Sequence, residues 1–220
     1  MRVLDLFAGT GSATKAFADA GHEIIHVELD ESFEAHERDV TSLTADYLRS
    51  KYGEFDFVWA SPPCTTFSVA SCFKYWKITP EGAIPKHPAV YESLKVVAHT
   101  INLIEELQPK YGFIIENPRG MLRKQLIMKH LPRWTITYCQ YGDYRMKPTD
   151  LWGDVPNWRP LAMCGPGDTC HEGAPAGTAT GSTRLRSSKL RSMIPYGLGK
   201  ELVEHIDKII ATDTPSDLRL

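Results

Sequence analysis

The reading of this chain turns on "VLDLFAGTGS", residues 3–12. Val3 to Phe7 reads as a buried strand, and Ser12 reads as the cap of a helix that Gly21 stops. Between them, Gly9 and Gly11 let the backbone turn tightly and come close to a ligand beside a helix N-terminus. The dinucleotide-binding fingerprint wants a third glycine, but position 14 is Thr14. Taken alone, the loop reads equally well as a plain tight turn.

Working outward, "EIIHVEL" (23–29) reads as a second strand, "TADYLRSKY" as a helix and "FDFVWA" (55–60) as a third strand. From Ala89 to Leu107, Val90, Leu94, Val97, Ile101, Ile104 and Leu107 share one face of an amphipathic helix. "YGFIIEN" then reads as strand, "MLRKQLIMKHL" as helix and "WTITYCQY" as strand. This alternation predicts an α/β fold: a Rossmann-like, doubly wound, mostly parallel sheet, with ligands outside the carboxyl ends of the strands. Residues 1–150 together with 193–220, which include the helical "GLGKELVEHIDKII", form the expected main domain. Residues 151–192, rich in Gly, Pro, Ser and Thr, form a small loop-rich insert.

The 220 residues suffice for one domain with a real core. Hydrophobic content of 42% and charged content of 24% are ordinary globular values. No run of about 18 apolar residues occurs, and the opening residues resemble no leader, so no membrane association is expected. Five cysteines, an odd number, point to a reducing cytoplasm. With a net charge of −2, a nucleic-acid partner would need local basic patches. Arg119, Arg123, Lys124, Lys129 and Arg133 make one such group, and Arg184, Arg186, Lys189 and Arg191 another. A monomer is expected.

Chemistry concentrates where strands end. Glu28 follows the second strand at about the separation at which an acid grips ribose hydroxyls. With the glycine loop it favours an adenosine-containing ligand, and NAD and S-adenosylmethionine both qualify. Asp39 either accepts from an adenine amino group or caps a helix. "ASPPCTTFS" (60–68) ends the third strand and "IIENPRG" (114–120) another. Two prolines remove two donors and stiffen the chain, so Cys64 is aimed rather than packed. A thiol facing a carboxyl across one cleft is foreign to hydride transfer, but it is what methylating a pyrimidine carbon needs. Thiolate addition at C6 of cytosine makes C5 nucleophilic, and a carboxyl at N3 balances the charge. Cys64 and Glu116 fit these two roles. Arg145, Lys147 and Arg119 are the cations available to favour the thiolate.

"DLFAGTGS", "HVELD", "SPPCTTFS", "ENPRG" and "CQYGDYRMKPTDLWG" stand in the order and spacing of the DNA cytosine-5 methyltransferases. The chain is similar above all to the small members carried by phages, which would place it in the cytoplasm of a bacterial host. The resemblance implies base flipping on DNA, with S-adenosylmethionine as cofactor. It implies that Phe7, Gly9 and Gly11 form the cofactor loop, with Glu28 on the ribose, Asp39 near the adenine and Pro63 against the cofactor. Cys64 would be the nucleophile, and Ser68 would touch DNA phosphate. Glu116 and Asn117 would hold the flipped cytosine with Arg145 in support, Lys147 being the other basic residue of that block. The insert would be a reduced target-recognition element, and the helix after Pro195 would complete the cofactor pocket. Thr65 and Pro118 stand where the family more usually has Gln and Val.

Rival readings are an RNA cytosine-5 methyltransferase, an amino-methyltransferase and an inactive DNA-binding module of the same shape. Cys64 stands where the amino-methyltransferases place an aromatic, and the presence of both Cys64 and Glu116 speaks against inactivity. Tyr75 and Trp76 are read either as wedges for the gap left by a flipped base or as packing residues. Cys164, Cys170 and His171, with Cys139 on the preceding strand, suggest zinc as a staple for a coreless insert. Scattered reduced cysteines are the alternative.

Overall fold

A computed structural model describes residues 1–80, 82–165, 167–172 and 187–213. Arg184 and Arg186 lie outside them. Eight strands form in chain order: β1 Arg2–Leu6, β2 Glu23–Val27, β3 Phe57–Ala60, β4 Trp76–Thr79, β5 Gly82–Pro85, β6 Phe113–Pro118, β7 Arg133–Thr137 and β8 Pro148–Asp154. The α-helices are α1 Lys15–Asp19, α2 Ala45–Tyr52, α3 Cys72–Tyr75, α4 Pro88–Leu107, α5 Ser188–Ser192 and α6 Tyr196–Asp213. The main sheet has six strands in the order β2-β1-β3-β6-β8-β7, and β4 and β5 make a separate antiparallel hairpin. Strands β2, β1, β3 and β6 run parallel, as their near-continuous apolar sequences require of strands covered on both faces. β8 then enters antiparallel between β6 and β7. The fold is the expected Rossmann-like α/β architecture.

Two apolar clusters cover the two faces. One gathers Leu4, Leu6, Val58, Ile115 and Trp152 under α2 and α4. The other gathers Val3, Phe57, Trp59, Ile114 and Leu151 under α1 and α6. Alternating strand residues thus divide between the faces, and α4 lays down the stripe of Val90, Val97, Ile101, Ile104 and Leu107 that its periodicity requires.

Four local expectations are corrected. Ser12 does not cap a helix. Its Oγ accepts from the Ile194 backbone N–H at 3.0 Å, and α1 begins only after Thr14. Residues 121–131 form two 3₁₀ turns, Leu122–Lys124 and Leu126–Met128, with extended Gln125 between them. Along this path Leu122 and Met128 are buried while Leu126 stays 76% exposed. "WTITYCQY" is strand only to Thr137, and Tyr138–Tyr141 turns as 3₁₀. The sheet also continues through Asp154, past the composition change at Leu151.

α1 has five residues and is too short to persist without packing. Phe17 holds it, fully buried and stacked on Phe57 with ring centroids 5.3 Å apart. Phe17→Ala is expected to cost about 3–5 kcal/mol by denaturant unfolding, the usual cost of emptying a buried aromatic site.

Candidate active site

The parallel strands bring the sequence-predicted residues to one edge. Phe7, Gly9 and Gly11 follow β1, Glu28 follows β2, and Ser61 to Ser68 follow β3. Glu116 and Asn117 close β6, Tyr138 follows β7, and Lys147 precedes β8. β8 can supply a residue to this edge only because it runs antiparallel, its first residues pairing with the last of β6 and β7.

The loop after β1 turns through positive φ at Phe7 (65°), Gly9 (51°) and Gly11 (68°). Glu28 organises it: Oε2 accepts from the Gly9 N–H at 2.8 Å, and Oε1 from the Asp30 N–H at 2.9 Å. A Cβ at Gly9 would meet nothing within 4 Å, so the loop faces open space beside a carboxylate with lone pairs to spare. Position 14 is not glycine because the Thr14 hydroxyl has a task, donating to buried Asp5 Oδ2 at 2.6 Å. Asp39 is exposed and spends one oxygen on Thr41, accepting from its backbone N–H at 2.9 Å and its hydroxyl at 2.7 Å. It caps the 3₁₀ turn Val40–Ser42, the capping alternative raised from its sequence.

The Cys64 loop is held by its carbonyls, as follows from having prolines at 62 and 63. Asn117 Nδ2 donates to the Pro62 carbonyl at 2.8 Å. The Cys64 carbonyl accepts from the Phe67 and Ser68 N–H groups at 3.0 and 2.9 Å. Thr65 O accepts from the Ser71 hydroxyl, Thr66 O from Trp76 Nε1 at 2.7 Å, and Phe67 O from the Met121 N–H at 2.7 Å. The last contact needs Gly120, where a Cβ would lie 2.2 Å from the Phe67 carbonyl oxygen. Tyr75 and Trp76 are therefore packing residues, both buried, and the exposed aromatic of this segment is Phe73 at 82%. Pro63 is exposed. Ser68, half-buried, shares a hydrogen bond with Ser71 at 2.8 Å.

Glu116 is buried, and Tyr138 Oη donates to its Oε1 at 2.9 Å. Burial pushes the Glu116 carboxyl above the usual carboxylate range, while Lys147 and Tyr138 pull it back. Burial likewise raises the Cys64 thiol, the Glu116 charge adds to this, and Lys147 and Arg191 oppose it. Lys147 acts on both, with Nζ 4.3 Å from the Tyr138 ring centroid and donating to the Arg191 carbonyl at 3.0 Å. Burial depresses its own ammonium, against the attraction of Glu116 and Cys64.

The other two residues assigned to the base are engaged by partners within the protein. Arg145 is buried and engaged by Asp143, with Nη1 donating to the Leu190 and Arg191 carbonyls at 3.2 and 3.3 Å. It fastens the turn before β8 to α5, and the cation that most favours the charged forms of the thiol and carboxyl is Lys147. Asn117 is fully enclosed, a strut between β6 and the Cys64 loop. Cys164, Cys170 and His171 do come together, and Cys139 joins them. Sequence reasoning missed Tyr138 and Asp5 and gave Ser12 another role, because their tasks appear only once distant segments are brought together.

The family described as C-5 cytosine-specific DNA methylase matches residues 1–149. The chain is 36% identical over 169 residues to a probable DNA (cytosine-5)-methyltransferase of Frog virus 3 (isolate Goorha), covering 75% of this chain and 76% of the relative. The chain belongs to this family. By class it is an S-adenosylmethionine-dependent DNA (cytosine-5)-methyltransferase. Among solved structures it is similar to the S. pombe Dnmt2 methyltransferase, at a TM-score of 0.48 and 14% identity over 74% of this chain and 52% of that one. A DNMT2 variant from Spodoptera frugiperda gives 0.45 and 16%, over 71% and 50%. The chain thus spans about half the length of these two structures. No described helix is long and apolar enough to cross a membrane.

The electrostatics are testable by alkylation. The Cys64 thiol is raised, so it should react slowly with iodoacetamide at neutral pH and faster as pH rises above its ordinary value. Glu116→Gln removes a charge that opposes the thiolate and should speed the reaction, whereas Lys147→Met should slow it. Site-resolved mass spectrometry separates Cys64 from the other four thiols. Equal rates in both variants and the parent would mean that neither charge reaches Cys64.

Proposed function

We propose that Cys64 is the nucleophile and Glu116 the acid of a cytosine-5 methyl transfer on a base extruded from DNA. The observation that carries this reading is the Asn117–Pro62 hydrogen bond, which fixes the thiol-bearing loop to the strand of the buried carboxyl. In the proposed sequence, the Cys64 thiolate forms a bond to C6 and the ring electrons move toward C5. Glu116, whose carboxyl burial lifts above the usual carboxylate range, donates at N3. Tyr138 keeps Oε1 occupied and so presents the other oxygen. Lys147 is the positive charge that favours the thiolate. C5 later loses its proton to water, N3 returns its proton to Glu116, and the bond from Cys64 to C6 breaks, releasing the product and the thiolate.

When bound, S-adenosylmethionine supplies an electrophilic methyl group. The residues present fit it. The loop of Phe7, Gly9 and Gly11 opens onto free space at Gly9, and Glu28 can accept from ribose hydroxyls. Pro63 is exposed beside the nucleophile. Asp39 has one oxygen not used by Thr41 to offer an adenine amino group. α6 would close the pocket, since Ile194 is bonded to Ser12 and Gly199 packs against Ala13. Arg145 and Asn117 act as positioning residues, and Ser68 lies where a phosphate could reach it. The same reading takes the protein to be a monomer in a reducing cytoplasm.

DNA carrying 5-fluorocytosine tests the nucleophile, because fluorine at C5 blocks the proton loss that releases the enzyme. A stable adduct is expected with the parent protein and none with Cys64→Ala. An adduct that persists in the variant would sink the assignment. Running duplex DNA and tRNA side by side separates the DNA from the RNA reading.

The segment 151–192 is proposed as the reduced target-recognition element, beyond its first residues in β8. It can present few rigid side chains, and each good bidentate base contact gives about 1–3 kcal/mol of discrimination. Some of its basic residues must serve phosphates, which position without specifying. Only about one or two bases beside the target should therefore be specified. Sequencing converted DNA after methylation tests this, and a strict motif of four or more base pairs would refute it.

A further inference from the structure

Between β8 and α5 no helix or strand occurs among the described residues, and from Arg159 to Glu172 the one buried side chain described is Cys164. So long a connection with no core of its own needs a fixed point. Four ligand atoms converge where it returns to the sheet. Cys139 Sγ lies 3.2 Å from Cys164 Sγ and 3.6 Å from Cys170 Sγ. His171 Nδ1 lies 3.6 Å from Cys164 Sγ and 3.5 Å from Cys170 Sγ. All four atoms fall within 4.8 Å of one another.

These are the edges of a small tetrahedron. Zinc bonds of about 2.3 Å to sulfur and 2.0–2.1 Å to nitrogen place tetrahedral ligands about 3.8 Å apart for two sulfurs and about 3.5 Å apart for sulfur and nitrogen. Three of the four measured edges lie within about 0.2 Å of those values. The fourth, Cys139 to Cys164, needs to open by about half an ångström. A disulfide there would need the sulfurs to close by more than an ångström and would leave Cys170 and His171 without a role.

We propose that Cys139, Cys164, Cys170 and His171 bind one structural zinc ion. Binding displaces three thiol protons, while His171 coordinates as neutral imidazole through Nδ1. Four protein ligands leave no position for water, so the ion has no catalytic part. Outer contacts are already in place: Gln140 Nε2 donates to Cys170 Sγ at 3.6 Å, and the Cys164 N–H donates to Thr137 Oγ1 at 3.0 Å. Cys139 directly follows Tyr138, the donor to Glu116. The metal therefore clamps the insert to the turn that serves the buried carboxyl.

The test reads metal alone, so its outcome does not depend on the methyltransferase reading. Full-length protein expressed with added zinc and then dialysed should retain about one zinc per chain by mass spectrometry. Cobalt exchanged into the apo protein should give the d–d bands of a tetrahedral site with intense thiolate charge transfer. Cys164→Ser and Cys170→Ala should each lose the bound metal. The second variant alters an exposed side chain and remains informative if the first does not fold. His171→Cys should retain metal, as should Cys72→Ser elsewhere in the chain. Metal-free parent protein, a Cys139–Cys164 disulfide in its place, or zinc that survives Cys170→Ala would each overturn the proposal.

Discussion

Two consecutive prolines decide how this site has to be built. Pro62 and Pro63 carry no N–H, so the loop after β3 cannot be anchored by donating through them. It is anchored by its acceptors instead, with Pro62, Cys64, Thr65, Thr66 and Phe67 each presenting a carbonyl to a donor. Those donors come from four places: β6 through Asn117, the loop's own next turn, β4 through Trp76, and the strand exit at Met121. Once that set is satisfied, the thiol has a fixed direction and the neighbouring segments have fixed places. Buried Trp76, the absence of a side chain at Gly120 and the 3₁₀ path after it all follow from feeding that one loop.

The same edge manages charge by enclosure. Glu116 is buried with a phenol and an ammonium for company, and both carboxyl and thiol are held toward their neutral forms. Lys147 is under opposite pressure, since burial favours its neutral form and its two acidic neighbours favour the charge. Three groups thus share a poorly solvated space in which the ionisation of one changes the others. Arg145, which cannot give up its proton, is paired with Asp143 and adds a fixed positive charge that also depresses the Lys147 ammonium.

Much of this was legible in the order of residues. Strand–loop–helix alternation fixes a parallel sheet, and a parallel sheet fixes where Glu28, Cys64 and Glu116 must meet. What escaped was whatever depends on pairing between distant segments. Nothing local marks Pro148–Asp154 as a strand that inserts between two others, and without that insertion Lys147 cannot be told from Arg145. Tyr138 reads as one more strand residue until the chain turns at Thr137. Residues 121–131 carry helical composition, yet the chain runs there as two 3₁₀ turns with Arg123 paired to buried Asp150. Asp39 and Asn117 show the other limit, because residue type suggests a ligand while one end of each side chain is spent within the protein, on Thr41 and on the Pro62 carbonyl.

The bond between Ser12 and Ile194 has a bearing on synthesis as well as on structure. It joins positions 182 residues apart, and it ties the glycine loop to the start of the last helix. At translation rates of about 5–20 residues per second, roughly 10–40 s separate the appearance of the two partners at the ribosome. Throughout that interval α1, five residues long, lacks the helix that covers it. The part of the protein made first is therefore among the last to reach its final form, and a nascent chain that has already made Cys64 and Glu116 still lacks a closed cofactor loop.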